Sequence, residues 1–355
     1  MGDPVRVQLL KQISKADNSM VLRSLRDQLH ELMGASLHES PIESFNEQLN
    51  EAHDAVICRA VALGEAEMAR LGKGLPPVPY TYLLFGSGGR GEQTLSSDQD
   101  SGIVYQDTGS DPFTTKQYFR QLSSLIVAYL EQAGYPPCEG DVISSNEAWC
   151  QSLTEWRSTL EGWFQEAAWE SVRYLLIMAD SRSIYGDSRL LDQLKDYYFT
   201  DMLNHPIIVQ RMLDNTMRHK VLLGVFGQLL KEQYGEDTGS IDIKYGAYIP
   251  MVNAFRLLAV QAGLRDTSTL ARIRGLATQE KLCLEEAAAY EQTFRLFLRL
   301  RLMTTEVKKQ GLYANNGKLP SRKLSKEMTS ELKNGLRISK KLQRKVVKQT
   351  MKKLT

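Results

Sequence analysis

Two aspartates separated by one residue, Asp98 and Asp100, give the strongest chemical signal in the sequence. They lie just before an apolar run, Gly102–Tyr105, which we predict to be a β-strand. Alternate residues of an extended segment share one face, so the two carboxylates would point the same way with Cα atoms about 6.5 to 7 Å apart. Carboxylates this close repel each other unless a cation binds them. The spacing therefore predicts a site for a divalent cation, Mg²⁺ or Mn²⁺.

The glycine-rich segment Gly86–Gly91 connects a candidate strand, Tyr80–Phe85, to the aspartate pair. Gly86 and Ser87 would let backbone N–H groups approach phosphate oxygens, and Arg90 would add a charge-assisted contact. The segment has the G-x-G-x-x-G spacing of a dinucleotide-binding turn, but the short interval after it leaves no room for the crossover helix of such a fold. A P-loop is excluded because no Gly-Lys-Ser/Thr ends the glycine run. We therefore interpret the segment as a loop that holds a triphosphate.

Structural explanations stay open for some of these residues. Residues 96–102 have the composition of a solvated turn, which would need no metal. Arg90 could form an ion pair with Glu92 that shapes the loop instead of contacting a nucleotide. The upstream Gly86-Ser87 pair favours the functional interpretation of the aspartates, whereas it leaves the role of Arg90 open.

The order of these motifs resembles known enzymes. Gly86-Ser87 followed by Asp98-x-Asp100 is similar to the signature of the DNA polymerase β nucleotidyltransferase superfamily. The fuller pattern, with Arg90, Glu92 and Ser97, resembles the uridylyltransferase that modifies the PII nitrogen-signalling protein. Closer still is the resemblance to a family named putative nucleotidyltransferases, often fused to CBS domains, with a helical substrate-binding domain at the C-terminal end. No CBS segment is evident here, and further similar stretches are Gly134–Gly140, Asp180-Ser-Arg182, Gly186-Asp187 and Asp242-Ile-Lys244 followed by Arg256.

The resemblance implies an enzyme that transfers a nucleoside monophosphate from an NTP to a hydroxyl and releases pyrophosphate. The acceptor would be a PII-like protein or a small molecule. The alternative is a catalytically degenerate, nucleotide-binding module that regulates or interacts with other proteins. The implied roles are metal ligation by Asp98 and Asp100, catalysis by these two with Asp180 (or its rival Asp141) as third carboxylate, nucleotide binding by Gly86, Ser87, Arg90, Glu92 and Ser97, and substrate binding by Asp242, Lys244 and Arg256. A structural role competes for Asp180, and a helix-capping or buried ion pair competes for Asp242 and Lys244.

The surrounding pattern predicts an α+β protein with three parts. Residues 1–75 would form a helical segment that includes an amphipathic helix over 41–71. Residues 76–190 would form a polymerase-β-like domain, a small mixed sheet with helices. Residues 191–355 would form an all-α bundle. Within these parts we predict a helix over 114–132, a weak strand at 142–145, a strand over 174–178 and helices over 207–233, 249–262, 282–309 and 324–351.

Bulk properties narrow the class of protein. The chain has 355 residues, of which 42% are hydrophobic and 24% charged, as in a folded globular protein. With no signal core and no long apolar run, we expect a cytoplasmic protein without membrane contact. The four cysteines are scattered, which predicts neither disulfides nor a zinc site. Between residues 318 and 353 the sequence has thirteen Lys and Arg residues and two acidic residues. An apolar stripe along this basic tail predicts that it docks on the helical domain, so nucleic acid is not the expected partner.

Overall fold

The computed structural model describes residues 4–37, 40–108, 111–202, 206–224, 227–307 and 313–354. The chain divides into two compact units. The first contains the described residues up to Glu161 together with Asp180–Tyr197, and the second contains Gly162–Ala179 and the described residues from Tyr198 onward. The three-part division at residues 75 and 190 stays a prediction.

A small mixed sheet forms the centre of the first unit. Strand β1 (Tyr80–Leu84) lies between β2 (Ser101–Tyr105) and β4 (Arg182–Gly186) and is antiparallel to both, while β3 (Cys150–Ser152) is parallel to β2. Every residue of β1 and β2 is buried, as expected for central strands that are covered on both faces. Leu84 pairs with Ser101, so the end of β1 lies beside the start of β2. This register brings the glycine loop, which follows β1, and the aspartate pair, which precedes β2, to the same end of these two strands.

Helices surround this sheet. The amphipathic helix predicted over 41–71 is confirmed as α3 (Ile42–Arg70), and the helix predicted over 114–132 is confirmed as α5 (Pro112–Gln132). Helix α5 begins with a proline in its first turn and is capped by Asp111, whose side chain accepts a hydrogen bond from the Thr114 N–H. The other helices here are α1 (Pro4–Ile13), α2 (Ser19–Ser36), the one-turn α4 (Gly86–Gly89) and two that extend into the second unit, α6 (Leu153–Glu166) and α8 (Arg189–Met202).

The second unit is mainly helical. Its buried core is built of aromatic and aliphatic side chains such as Tyr248, Phe255, Phe294 and Phe297. The predicted docking of the basic tail is confirmed, because Leu332, Leu336, Leu342 and Val346 of the last helix are buried, whereas none of its lysines between 326 and 352 is buried. Its helices are α7 (Trp169–Met178), α9 (Pro206–Thr216), α10 (Ile249–Gln261), α11 (Thr269–Thr278), α12 (Leu284–Leu302) and α13 (Lys326–Leu354). None of the helices in the described ranges has the length and apolar character needed to cross a bilayer.

Several predicted elements were wrong. The run 174–178, predicted as a strand, lies inside helix α7, because a short apolar run rich in Leu and Met is compatible with either state. Residues 142–145 are not a strand, and the third strand of the sheet is β3 instead. The helix predicted over 207–233 ends at Thr216.

The C-terminal part also contains strands that the sequence did not predict. Strand β5 (Ser240–Asp242) pairs with β8 (Lys318–Pro320), and β6 (Thr305–Val307) pairs with β7 (Tyr313–Asn315), both antiparallel. Each strand has only three residues, too few to show a period of two in sequence. The α+β class is confirmed, and the helical part carries two short ladders in addition.

Candidate active site

Asp98 and Asp100 lie on the extended segment that leads into β2. Between them, the side chain of Gln99 points into the protein, where its Nε2 donates to the carbonyl oxygens of Tyr135 (2.8 Å) and Val127 (3.2 Å). Asp98 is exposed and Asp100 is half-buried, whereas Gln99 is buried. This alternation directs both carboxylates away from the core, toward one face.

The two carboxylates share their site with a thiol. One ligand atom from each of Asp98, Asp100 and Cys138 lies within 4.8 Å of the others, which makes these three a group that could hold a cation. The strand-like pairing of Gln99 with Pro137 brings Cys138 to the aspartates. Burial and the negative charge of Asp100 raise the pKa of Cys138 to about 12, so the side chain is a neutral thiol here. Sequence reasoning missed Cys138, although it lies in the Gly134–Gly140 stretch that carried the family resemblance.

The glycine loop approaches the aspartates closely. The Phe85 N–H donates to the carbonyl oxygen of Asp100 (3.0 Å), and Gly86 follows with φ of +51° as the first residue of α4. In this one-turn helix the Gly89 N–H donates to the carbonyl oxygen of Phe85 (2.7 Å), whereas the N–H groups of Gly86 and Ser87 precede that first helical bond. A side chain at Gly89 would overlap the carbonyl oxygen of Asp180 and lie 2.8 Å from that of Leu84, so this position also requires glycine.

Hydrogen bonds to the backbone carbonyl oxygens of the glycine loop hold it in place. Ser87 is half-buried, and its carbonyl oxygen accepts from the Glu92 N–H (2.8 Å). The carbonyl oxygen of Gly88 accepts from Nη2 of Arg182 (2.8 Å), and Arg182 forms a bidentate ion pair with Asp54 of α3 (2.7 and 2.9 Å). These contacts define the position of the loop before any ligand binds.

Arg90 takes part in a buried ionic network. Its Nε donates to Glu92 (2.8 Å) and its Nη1 donates to Asp180 (2.6 Å). The side chains of Arg90, Glu92 and Asp180 are 4%, 3% and 0% exposed. The structure thus brings together three residues to which the sequence assigned nucleotide binding and catalysis. Among the described residues, the group that could hold a cation contains Asp98, Asp100 and Cys138 and does not include Asp180. The other candidate for a third carboxylate, Asp141, is exposed and has φ of +56°.

Ser97 is also engaged inside the protein. It is buried, and its Oγ accepts from Nε2 of Gln93 (2.7 Å) and lies 3.3 Å from the carbonyl oxygen of Asp98, to which it donates. These bonds connect Gln93, which follows the glycine loop, to the backbone of the first aspartate. Its contact with a nucleotide stays a prediction.

Four polar side chains form a row on α3 and hold the glycine loop and the segment after it: Asn46, Asn50, His53 and Asp54. The row was missed by sequence reasoning, although its spacings of four, three and one residue within an apolar face were a usable signal. Three of its members are buried at 8%, 5% and 0% exposure, so their polar atoms need partners. The contacts are Asn46 Nδ2 to Gly91 O (2.6 Å), Gln93 N to Asn50 Oδ1 (3.0 Å), His53 Nε2 to Thr94 O (2.9 Å) and the Arg182 ion pair with Asp54.

In the second unit, the residues assigned to substrate binding lie on three successive elements: Asp242 ends β5, Lys244 begins the π-helical segment Lys244–Tyr248, and Arg256 lies within α10. Oδ1 of Asp242 accepts from the Tyr245 N–H (2.7 Å), which is a capping contact. Burial raises the pKa of Asp242. The ammonium of Lys244 lies 5.1 Å from the ring centre of Tyr245, and the buried Arg256 donates to Asn253 (3.1 Å). Their role toward a substrate stays a prediction.

Comparison with protein families covers most of the chain. A family model described as "Putative nucleotidyltransferase DUF294" matches residues 23–170, and one described as "Putative nucleotidyltransferase substrate binding domain" matches residues 206–350. No curated protein matches the sequence. The first match contains the glycine loop and the aspartate pair but ends before Asp180, and the second contains Asp242, Lys244 and Arg256. The chain therefore belongs to this family of nucleotidyltransferases, with a substrate-binding domain in its C-terminal half.

Proposed function

We propose that the protein transfers a nucleoside monophosphate from a metal-bound NTP to an acceptor hydroxyl and releases pyrophosphate. The observation that carries the proposal is that the Asp98 and Asp100 carboxylates lie close to each other and that Asp100 lies against Gly86 of the glycine loop. Carboxylate oxygens are the ligands that Mg²⁺ and Mn²⁺ prefer, so the residues present fit a divalent cation.

The aspartates and the glycine loop would have separate roles in this site. Asp98 and Asp100 would hold the cation through their carboxylate oxygens. The N–H groups of Gly86 and Ser87 would bind phosphate oxygens. When bound, the cation would offset charge on the triphosphate and on the departing pyrophosphate. The acceptor oxygen would attack the α-phosphorus as the bond to the β-phosphate oxygen breaks, and the hydroxyl proton would be released.

The buried residues would act by positioning. Arg90 is held by Glu92 and Asp180, and the carbonyl of Asp180 lies against Gly89, so this network supports the shape of the loop. An interaction that fixes binding groups in advance lowers the reorganisation needed in the transition state. We therefore assign Arg90, Glu92 and Asp180 a supporting task in the reaction rather than contact with the reacting atoms.

The acceptor would be a PII-like protein or a small molecule. The family description of the C-terminal half as a substrate-binding domain supports an acceptor site there. Asp242, Lys244 and Arg256 are the residues in that half that we propose for the acceptor.

The experiment is a calorimetric titration of ATP, UTP, GTP and CTP with Mg²⁺, with pyrophosphate release followed in parallel. We expect the variant Asp98→Asn/Asp100→Asn to lose metal-dependent nucleotide binding. Asp192→Asn is a matched control, because Asp192 is exposed on α8. The proposal fails if no nucleotide binds with any divalent metal, or if the double variant binds as the wild type does.

One observation favours a second candidate function. Among the described residues, the cluster that could hold a cation contains two carboxylates and a thiol rather than three carboxylates. A protein of this kind could bind a nucleotide without turning it over and serve as a regulatory module. Metal-dependent nucleotide binding without pyrophosphate release, across a panel of protein and small-molecule hydroxyl acceptors, would support this alternative.

A further inference from the structure

A cavity of about 320 Å³ lies in the second unit, where α10, α11 and α13 pack together. Its wall is aliphatic. Leu258, Leu276 and Leu282 are 8%, 1% and 4% exposed, and Ala262 follows the end of α10 beside them. The volume lies at the lower end of the range of about 300 to 1,000 Å³ that is typical of small-molecule sites.

The mouth of the cavity is positively charged. Lys281 and Lys352 line it, both are exposed, and no carboxylate is among the described residues that line it. The remaining polar lining comes from two glutamines, of which Gln261 donates to the Thr350 hydroxyl (2.9 Å). The site therefore has an apolar interior and a cationic rim.

Local backbone geometry explains why these groups meet. Helix α11 ends at Thr278, and Glu280 adopts φ of +56°, in the left-handed region. This turn allows the Lys281 N–H to donate to the carbonyl oxygen of Leu276 (2.9 Å) and directs the next residue, Leu282, into the interior. A left-handed residue after a helix, followed by an apolar side chain, is a common way to end a helix.

We infer that this cavity binds an aliphatic carboxylate of medium chain length, with its chain against the leucines and its carboxylate between Lys281 and Lys352. Burial of the chain supplies the favourable free energy, because apolar area is removed from water. The two ammonium groups select an anion over a neutral amphiphile. A polyphosphate fits less well, since most of the lining is apolar. The inference goes beyond nucleotidyl transfer and does not rest on it, because binding can be measured without nucleotide or metal.

The test is a calorimetric titration of the full chain with decanoate, decanol and acetate, with decanoate kept below its micelle concentration and decanol below its solubility limit. We expect decanoate to bind at least tenfold more tightly than decanol, and acetate not to bind. The variant Ala262→Trp places a large ring in the cavity and should reduce decanoate affinity at least tenfold. Leu284→Trp is the matched control, because Leu284 is 81% exposed and does not line the cavity.

A second variant does not depend on repacking the interior. Lys281→Gln/Lys352→Gln changes only exposed side chains, and we expect it to reduce decanoate affinity about tenfold while decanol affinity stays the same. Equal affinities for decanoate and decanol in the wild type would overturn the assignment of an anion. Unchanged decanoate binding in both Ala262→Trp and the lysine variant would overturn the site itself.

Discussion

A Cβ atom on Gly86 would overlap Oδ2 of Asp100 and would lie 3.1 Å from its Cγ. The backbone of Gly86 also has φ of +51°, which L side chains rarely adopt. The glycine is thus required twice, once by the backbone conformation and once by the nearby carboxylate. The proposed phosphate loop and the proposed metal ligand therefore depend on each other for their positions.

A comparison of Gly86→Ala with Gly72→Ala should separate these two requirements. We expect a loss of about 1 kcal/mol of stability from the left-handed backbone, and at least a tenfold loss of Mg²⁺-dependent nucleotide affinity because Asp100 must move. Gly72→Ala is the matched control, because Gly72 has φ of +73° and open space around it. Calorimetry and urea unfolding of both variants provide the comparison. Equal effects of the two substitutions on nucleotide affinity would contradict the proposed coupling.

Asp180 should matter for stability more than its distance in sequence from the glycine loop suggests. Removal of its side chain in Asp180→Ala takes one of two carboxylates away from the buried Arg90, and breaking a buried ion pair costs about 3 to 5 kcal/mol. We expect a loss near the lower limit, since Glu92 still neutralises part of the charge. Urea unfolding followed by circular dichroism would measure it.

An exposed ion pair nearby provides the control for Asp180. Asp187 pairs with Arg189, whose side chain is 82% exposed, and also accepts from the Arg189 N–H (3.1 Å), so Asp187→Ala should cost no more than about 1 kcal/mol. Asp180→Asn, which retains a hydrogen-bond acceptor for Arg90, tests the catalytic alternative. If Asp180→Asn keeps the stability of the wild type but abolishes pyrophosphate release, Asp180 acts in catalysis and our assignment of a positioning task is wrong.

The sequence allowed the aspartate pair and the glycine loop to be predicted because each is a local pattern. The alternation of Asp98, Gln99 and Asp100 follows from strand geometry alone. Cys138 could not be predicted in the same way, because it reaches the aspartates through a contact between residues far apart in sequence. The spacing of the α3 row was a signal in the sequence, but its partners in the loop were not. The error at Tyr174–Met178 has a different origin, since five apolar residues are too few to distinguish a helix period from a strand period.

Substitution of Cys138 should reveal which metals the site accepts. Mg²⁺ prefers oxygen ligands, so Cys138→Ser should change Mg²⁺-dependent nucleotide affinity less than about twofold. Cd²⁺ prefers thiolates, and its affinity should fall at least tenfold, together with loss of the thiolate charge-transfer absorbance. Cys283→Ser is the control, because Cys283 is an exposed thiol outside the cluster. A large loss of Mg²⁺-dependent binding in Cys138→Ser alone would show that our assignment of the oxygen ligands is incomplete.

Acid should lower the free energy of unfolding through His53, which bonds to the carbonyl oxygen of Thr94 in the segment after the glycine loop. Burial, together with the positive charge of Arg26, lowers the pKa of His53 to about 3. Burial and the neighbouring His53 also lower the pKa of His30. The unfolded chain binds protons at these residues near pH 6.5, whereas the folded chain does not. Stability should therefore be full above about pH 6.5 and should fall as the pH decreases below it, by about 1.4 kcal/mol per pH unit for His53 alone.

Urea unfolding at intervals from pH 7.5 to pH 5 would measure this dependence, because most carboxylates stay ionised over that range. The variant His30→Gln/His53→Gln is uncharged at both positions and should lose most of the slope, even if its stability at pH 7.5 is lower. His53→Gln alone should keep the part of the slope that belongs to His30. A wild-type stability that stays constant down to pH 5 would mean that the folded chain accepts a proton at His53, which contradicts its buried, neutral state.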